Sequence, residues 1–213
     1  MTDERLGGMT VDGFLEVLSS AAPTPGGGAA GAIAGAIGAA LIAMAGRLTV
    51  GKKGFEEIDE RMRGLVERAD EARAIFLDLA DRDAHAFDGV MVAFKMPKET
   101  DEEKAARSAA IQAGHEAAAS VPLEIARTAV ALMALAEDAT AMGNPHVASD
   151  GVSGSAQLYC ATLCAIANVE INAVALKDHE RRSVLLDEIA TLRGRADQSI
   201  RETQTAFQLR LSS

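Results

Sequence analysis

The most constraining feature of this sequence is a long uncharged stretch near its N-terminus. Residues 17–46 carry no charged side chain and consist mostly of glycine and alanine. A stretch of this length is long enough to cross a membrane, but Pro23 and Pro25 interrupt it. It is also mostly Gly and Ala rather than Leu and Phe, and it lacks an aromatic anchor at either end. Residues 151–169 form a second uncharged stretch. We interpret both as buried central helices of a helical bundle and expect no interaction with a membrane.

The rest of the composition also favours helices. About one residue in five is alanine, only 3% are aromatic, and β-branched runs with period-two alternation are absent. A chain of 213 residues with 48% hydrophobic composition can bury a substantial core. We therefore predict an all-α protein in which residues 1–213 form a single helical bundle domain. Because small side chains are so frequent, we also expect the subunit to complete its core by pairing as a homodimer.

Prolines and a capping motif divide the chain into about six predicted helices. One helix begins at the capping box formed by residues 100–103 and continues beyond Pro122. The other predicted helices are a short amphipathic helix at residues 10–20, a Gly/Ala-rich buried helix at 27–49, a long helix at 55–94, a largely uncharged helix at 147–176 and a final amphipathic helix that ends at about 209.

Charge and cysteine content exclude several classes of protein. The formal net charge is −10 and no basic tract is present, so we expect no nucleic-acid partner. Two cysteines, Cys160 and Cys164, are too few for a disulfide framework and indicate a reducing, cytoplasmic location. The first ten residues lack the basic region and apolar core of a signal peptide.

Several apparent motifs lack the context that their chemistry requires. Residues 26–31 match the G-x-G-x-x-G dinucleotide pattern, but no strand precedes them and no acid follows about 20 residues later. Residues 46–52 approach a phosphate loop, but Lys53 replaces the Ser or Thr that holds the metal. The histidines at 85, 115, 146 and 179 show no metal-ligand spacing, so no metal site is predicted.

Asp83 is a polar residue on a predicted apolar helix face. Asp83 interrupts a stripe of hydrophobic residues at helical spacing, namely Phe76, Leu79, Phe87, Val90 and Phe94. Burial of a carboxyl group raises its pKa, which suits a general base working near neutral pH. The alternative is that Asp83 caps or hydrogen-bonds a neighbouring helix, and the pattern alone leaves both open.

Other polar residues near uncharged helices have similar alternatives. Asp150 stands at the start of the second uncharged helix, where the helix dipole stabilises an acid; this structural explanation is favoured over a role in a site. Asn168 and Asn172 share a face with the two cysteines, and buried amides need partners, either protein or ligand. Both asparagines are therefore candidate binding residues.

The start and end of the Gly/Ala-rich helix are also candidate binding elements. Residues 24–28, Thr-Pro-Gly-Gly-Gly, give a rigid helix start whose open backbone amides suit a polar or anionic group on a flat ligand. Lys52 and Lys53 follow the far end of the same helix. A tight turn explains the Thr-Pro-Gly-Gly-Gly segment equally well. A favourable interaction with the C-terminal end of the helix dipole explains Lys52 and Lys53 equally well.

Ordered strings along nearly the whole chain follow one known pattern. They are A-P-T-P-G-G-G at 22–28, G-A-A-L at 38–41, L-T-V-G-K-K at 48–53, D-A-H-A-F-D at 83–88, M-P-K at 96–98 with 100–104, V-P-L at 121–123, G-N at 143–144 with S-D at 149–150, and N-V-E-I-N at 168–172. Together these strings resemble the cyclodeaminase/cyclohydrolase family of folate enzymes, the C-terminal domain family of formiminotransferase-cyclodeaminase. Ala29 and the pair Pro145-His146 depart from the family pattern.

The resemblance implies an all-helical, usually dimeric enzyme acting on one-carbon tetrahydrofolates. A chain of this length resembles the bacterial methenyltetrahydrofolate cyclohydrolase, with a formiminotetrahydrofolate cyclodeaminase or a non-catalytic folate-binding dimer as alternatives. The folate is the substrate, and no cofactor is expected.

The resemblance also suggests roles for individual residues. Asp83, Asp150 and Lys52 form the expected catalytic set, with Asp83 favoured as the base that activates water. The expected substrate-binding residues contact the pterin, the bridge carbon or the glutamate tail: Pro25, Gly26, Gly27, Gly28, Phe87, Asn144, Asn168 and Asn172 around the ring system, and Lys53, Pro97 and Lys98, together with Lys52, toward the tail.

Overall fold

Six α-helices account for most of residues 5–212, the part of the chain that the computed structural model describes. They are α1 (Val11–Leu18), α2 (Gly27–Arg47), α3 (Asp59–Phe94), α4 (Asp101–Met142), α5 (Ala148–Val174) and α6 (His179–Leu211). A short 3-10 turn at Leu6–Gly8 precedes α1, and two others, at Glu56–Ile58 and Pro145–Val147, lie before α3 and α5; no strand occurs among these residues. The all-α prediction is confirmed. Residues 1–4 and residue 213 lie outside the described part. Residues 1–4 belong to the N-terminal segment that we do not expect to be a signal peptide.

Side-chain caps explain where several helices begin. The Thr10 hydroxyl accepts the Gly13 N–H at 3.0 Å, and the Asp178 carboxylate accepts the Arg181 N–H at 2.9 Å. The predicted capping box at the start of α4 is present, since Thr100 and Glu103 each accept the other's backbone N–H. These bonds satisfy donors that the first helical turn leaves without partners.

Small residues allow α2 to lie at the centre of the bundle, packed against both α3 and α5. A Cβ built on Gly35 would fall on the ring of Phe76 from α3. On the opposite side, a Cβ on Gly38 would lie 2.8 Å from the carbonyl oxygen of Gly154 in α5. Glycine at both positions therefore permits a close approach of backbones that larger residues would prevent.

The buried interior extends from α2 into the second half of α4 and into α5 and α6. Pro122 lies inside α4, which continues through it, as expected. Among residues 5–212, three segments are by length and composition apolar enough to cross a membrane: Gly27–Arg47, Asp101–Met142 and Pro145–Val174. In the fold, 61%, 67% and 44% of their apolar windows are buried. These segments thus supply the core of the bundle.

The predicted helix boundaries need small corrections. The long third helix begins at Asp59 rather than at residue 55, because residues 56–58 form a 3-10 turn. The first helix is shorter than expected and ends at Leu18. These differences fall at helix ends, where local turn geometry rather than apolar periodicity sets the boundary.

Candidate active site

A cavity of about 410 Å³ opens where the start of α2 meets α3, α4 and α5. Its walls combine a glycine-rich helix start, an apolar surface and a few polar side chains. The lining residues are Pro23, Thr24, Gly26, Gly27, Asp83, Ala86, Phe87, Val90, Met91, Phe94, His115, Ala118, Asn168, Ile171 and Asn172. A mostly apolar concave site with a few polar groups is typical of small-molecule binding.

Asp83 projects from α3 against the first turn of α2. Burial raises the pKa of its carboxyl group, and a hydrogen bond from the Ala29 backbone N–H partly offsets that effect. Gly28 faces the same carboxyl group so closely that a Cβ there would collide with it. The contact with a neighbouring helix start is therefore present, and Asp83 also lines the cavity.

The asparagines of α5 form the opposite polar wall. Asn168 Nδ2 donates to the carbonyl of Cys164 at 2.8 Å, and a Cβ on Gly27 would lie 3.3 Å from that nitrogen. Asn172 Nδ2 donates to the carbonyls of Asn168 at 2.9 Å and Ala118 at 3.4 Å. Protein carbonyls thus fix both amides, while their side chains still line the cavity.

His115 is a site residue that the sequence reasoning missed. It lines the cavity from α4, and its Nδ1 lies 3.1 Å from Asn172 Oδ1. The edge of its ring meets Phe94, with the ring centroids 6.3 Å apart and the planes at 80°. The only available sequence signal was a single imidazole among small residues of a helix, because its partners come from α3 and α5.

Apolar side chains from α3 and α5 complete the cavity. Phe87, Met91 and Phe94 line it from α3, and Ile171 lines it from α5. Phe87 remains 36% exposed, so its ring is available to a ligand. This surface suits a flat heteroaromatic ring, in agreement with the place expected for Phe87.

A second group of sequence candidates lies at the other end of α2. The 21 residues of α2 span about 30 Å at 1.5 Å per residue. Lys52 and Lys53 are exposed in the turns beyond its C-terminus, and Asp150 lies in the first turn of α5. Within one subunit, the structure does not bring Lys52, Lys53 or Asp150 to the cavity that Asp83 lines.

Asn144 belongs to this distal group and has a structural role there. Its Nδ2 donates to the Leu48 carbonyl at 3.1 Å, and its Oδ1 accepts the His146 N–H at 3.1 Å. Its own backbone N–H donates to the Thr49 hydroxyl at 2.9 Å. These bonds join the α4–α5 turn to the end of α2, so the expected contact between Asn144 and the pterin is not supported within this subunit.

Replacing Thr49 with valine tests this junction. Thr49 is 1% exposed, and its hydroxyl also donates to the Ala45 carbonyl at 2.8 Å. We expect Thr49→Val to lower the free energy of unfolding by about 1–3 kcal/mol, because it leaves the buried Asn144 N–H without its acceptor. Thr140→Val is the matched control, since the Thr140 hydroxyl is also buried but donates to a carbonyl of its own helix. Urea unfolding measures both variants. Equal losses in the free energy of unfolding would contradict the role of Thr49 as the acceptor for the Asn144 N–H.

Two further candidates, Pro97 and Lys98, lie in the exposed link between α3 and α4. Pro97 is not among the residues that line the cavity. Lys98 lines a neighbouring cleft of about 460 Å³, which we call the basic cleft, with Lys104, Arg107, Ser108, Ile111, Gln112 and Lys177. The sequence predicted Lys98 but not the other three cations.

Phe94 connects the basic cleft to the cavity. The Arg107 guanidinium lies 5.7 Å from the centroid of the Phe94 ring, and its Nη2 donates to the Phe94 carbonyl at 3.1 Å. Lys177 Nζ donates to Ser108 Oγ at 2.7 Å, while Lys104 is paired with Asp101 at 3.0 Å. The cleft therefore presents concentrated positive charge beside the aromatic wall of the cavity. Within residues 5–212, no group of three or more His, Cys, Asp or Glu side chains is arranged to hold a metal ion.

The sequence is similar to proteins of one family over most of its length. Residues 10–191 match the family described as formiminotransferase-cyclodeaminase. The methenyltetrahydrofolate cyclohydrolase of Methylorubrum extorquens is 40% identical over 200 residues, which cover 92% of this chain and 96% of that protein.

Two further similarities concern cyclodeaminases. The formimidoyltransferase-cyclodeaminase of Mus musculus is 35% identical over 186 residues, 84% of this chain but 34% of that protein, so the chain spans about a third of its length. The crystal structure of formiminotetrahydrofolate cyclodeaminase from Thermotoga maritima superposes with a TM-score of 0.85 at 29% identity, covering 94% of this chain and 96% of that one. Both similarities extend over most of the helical bundle described above.

Proposed function

The chain belongs to the formiminotransferase-cyclodeaminase family, and on this premise we propose that it is a methenyltetrahydrofolate cyclohydrolase, a hydrolase acting on a cyclic amidine. It converts 5,10-methenyltetrahydrofolate and water into 10-formyltetrahydrofolate and one proton. The observation that carries the proposal is Asp83, a desolvated carboxyl group on the wall of a cavity of suitable size.

The cationic substrate and the buried carboxyl group are complementary. The bridge carbon between N5 and N10 carries positive charge, so it is already electrophilic and needs a base rather than additional activation. A nearby cation favours the ionised form of a carboxyl group and so opposes the effect of burial on the pKa of Asp83. Substrate binding therefore favours the carboxylate form of Asp83, which is the form that can act as a base.

The first chemical step is the attack of water on the bridge carbon. Asp83 takes one proton from the water as the new C–O bond forms, giving a neutral tetrahedral intermediate with a hydroxyl group. The C–N5 bond then breaks and leaves the formyl group on N10. This step requires that the hydroxyl group loses its proton and that N5 gains one. The folate is the substrate, and we propose that side chains of this protein supply the proton transfers.

The remaining cavity residues position the ring system. Gly26 and Gly27 leave the start of α2 open to the cavity. The backbone N–H groups of this helix start bind the polar edge of the substrate's ring system. Asn168 and Asn172 provide amide groups on the opposite wall. Phe87 stacks against the ring. Pro25 and Gly28 are buried behind this surface and support the helix start.

The test is the loss of methenyltetrahydrofolate absorbance near neutral pH, with and without the purified protein. We expect a protein-dependent rate and the appearance of 10-formyltetrahydrofolate. No acceleration, combined with an increase in melting temperature on adding folate, would instead support a non-catalytic folate-binding protein.

A second candidate activity is cyclisation of 5-formiminotetrahydrofolate with loss of ammonia. The structural similarity to the cyclodeaminase of Thermotoga maritima favours it, and the reaction leads to the same cationic bridge. Ammonia assays with 5-formiminotetrahydrofolate separate the two activities. Faster hydrolysis of the methenyl compound without ammonia release identifies the cyclohydrolase, whereas ammonia release identifies the cyclodeaminase.

We propose that the basic cleft binds the carboxylates of the substrate's glutamate tail. The cleft adjoins the cavity through Phe94 and contributes Lys98, Arg107 and Lys177. The Arg107 guanidinium lies over the Phe94 ring and bonds to the Phe94 carbonyl, which holds its positive charge where the cleft meets the cavity. This assignment moves tail recognition from the turn at Lys52 and Lys53 to the α3–α4 side of the bundle.

The double variant Lys98→Ala/Lys177→Ala tests this assignment. We expect KM for a polyglutamylated substrate to rise about two- to fivefold per lost charge at low salt, with kcat unchanged, because exposed ion pairs contribute a fraction of a kcal/mol each. Arg68→Ala/Arg195→Ala removes two exposed charges elsewhere and is the matched control. A rise in KM with Lys52→Ala/Lys53→Ala, and none with the cleft variant, would restore the original prediction.

We also propose that the protein acts as a homodimer in the cytoplasm. Large apolar side chains beside the cavity are exposed on α3 and α5, including Val92 at 66%, Ile171 at 72% and Val174 at 65%. A second copy that covered these side chains would remove apolar surface from water. Both cysteines are free thiols, which suits a reducing compartment. Sedimentation equilibrium is expected to give twice the 22.1 kDa chain mass.

A further inference from the structure

The cavity contains a second group able to transfer protons besides Asp83. Among the described residues that line it, Asp83 on α3 and His115 on α4 are the two with ionisable side chains. The part of α5 that faces His115 contributes the amides Asn168 and Asn172, and Arg107 on α4 lies against the ring of Phe94. The site therefore pairs one carboxyl group with one imidazole.

The hydrogen bonds of Asn172 determine which nitrogen of His115 carries the proton. Asn172 Nδ2 donates to two backbone carbonyls, so the atom facing the imidazole is its Oδ1, an acceptor. His115 Nδ1 must therefore be the donor in this pair. In the neutral ring, a proton on Nδ1 leaves the lone pair of Nε2 free to accept another proton.

We propose that His115 is the second proton-transfer residue of the reaction and that Asn172 positions it; this inference rests on the proposed hydrolysis. After Asp83 has taken the first proton from water, Nε2 of His115 accepts the hydroxyl proton of the tetrahedral intermediate. The same proton then passes from Nε2 to N5 as the C–N5 bond breaks and the formyl C=O bond forms. His115 returns to its neutral form, and the proton on Asp83 is the one released to solvent.

The Phe94 contact supports this role by restricting the ring. The edge-on packing of Phe94 against His115 and the bond to Asn172 hold the imidazole from two sides. A general acid or base must be held within hydrogen-bonding reach of the reacting atoms. Neighbours on two other helices therefore fix the direction of Nε2 more firmly than in an unrestrained surface histidine.

Two substitutions separate proton transfer from a structural role. His115→Gln keeps an amide N–H donor for Asn172 Oδ1 but cannot relay a proton, and His115→Ala opens space for added imidazole. We expect both variants to lose about 10²- to 10⁴-fold in kcat, with a smaller change in KM, and we expect imidazole to restore part of the activity of His115→Ala. His179→Ala, which replaces an exposed histidine at the start of α6, is the control. It should keep the wild-type kcat and should not be activated by imidazole.

The outcomes distinguish this inference from the function on which it rests. Wild-type kcat in His115→Gln would show that His115 only holds Asn172, and failure of imidazole to raise the activity of His115→Ala would also contradict a relay. An inactive wild-type protein, assayed with the same substrate, would instead overturn the proposed hydrolysis. Circular dichroism of all variants establishes that the helical bundle is retained.

Discussion

Asp83→Asn is expected to lower kcat for methenyltetrahydrofolate hydrolysis by about 10²- to 10⁴-fold, the range typical of losing a general base. The amide is almost isosteric with the carboxyl group and still accepts the Ala29 N–H, but it cannot take a proton from water. Steady-state kinetics on purified protein check the prediction. Asp78→Asn makes the same chemical change at an exposed position of α3 and should leave kcat unaltered. Full turnover in Asp83→Asn would show that another group is the base.

The same substitution is expected to stabilise the protein at neutral pH. Because burial raises the pKa of Asp83 in the folded state above that in the unfolded state, the folded wild type loses stability as pH rises from the unfolded pKa through the folded pKa. Asparagine does not titrate. The melting temperature of Asp83→Asn should therefore exceed that of the wild type at pH 7–8, and the difference should shrink below about pH 4. A pH-independent difference would contradict this linkage.

The pH dependence of wild-type activity provides a further consequence of the same pKa shift. The acid limb of kcat/KM reports the free enzyme, whereas that of kcat reports the enzyme–substrate complex. The cationic substrate favours the Asp83 carboxylate, so we expect the acid limb of kcat to lie at lower pH than that of kcat/KM. Coinciding limbs would indicate that the substrate cation does not lie near Asp83.

Residues that break an apolar pattern could be located from the sequence. Asp83, Asn168 and Asn172 each interrupt a hydrophobic helix face, and all three line the same cavity. Burial requires such side chains to have partners, so their importance is visible before any fold is known. The helices themselves follow from the same periodicity, which explains why only their ends needed correction.

Residues whose selection depended on a helix end or a family-like string, without a break in an apolar pattern, could not be placed in the same way. Asn144, Asp150 and Lys52 lie near the far end of α2, about 30 Å from the start that contacts Asp83. Sequence position gives no information on which end of a helix meets which neighbour. His115 was missed for a related reason, since its significance depends on Asn172, which is 57 residues away in the chain.

Gly28→Ala is expected to reduce both activity and stability, because residue 28 lies very close to the side chain of Asp83. The added Cβ would collide with the carboxyl group of Asp83, so either the side chain or the start of α2 must move. Overpacking of this kind typically lowers the free energy of unfolding by about 1–3 kcal/mol. Displacing a catalytic group by about 1 Å can cost about 10²-fold in rate, and we expect a loss of that order in kcat.

Gly194→Ala is the matched control for this prediction. Gly194 lies in α6, and nothing lies within 4 Å of a Cβ built there. Alanine at such a position should stabilise the helix by about 0.5–1 kcal/mol, so the same substitution is expected to have opposite signs at the two sites. Urea unfolding and steady-state kinetics measure both effects.

A double variant shows whether the carboxyl group itself causes the effect of Gly28→Ala. Asp83→Ala removes the group that the new methyl would meet, so Gly28→Ala/Asp83→Ala should be more stable than the sum of the two single changes predicts. Additive losses would mean that the alanine disturbs α2 independently of Asp83. A favourable coupling would instead establish that position 28 requires glycine because the carboxyl group of Asp83 occupies the space of its missing side chain.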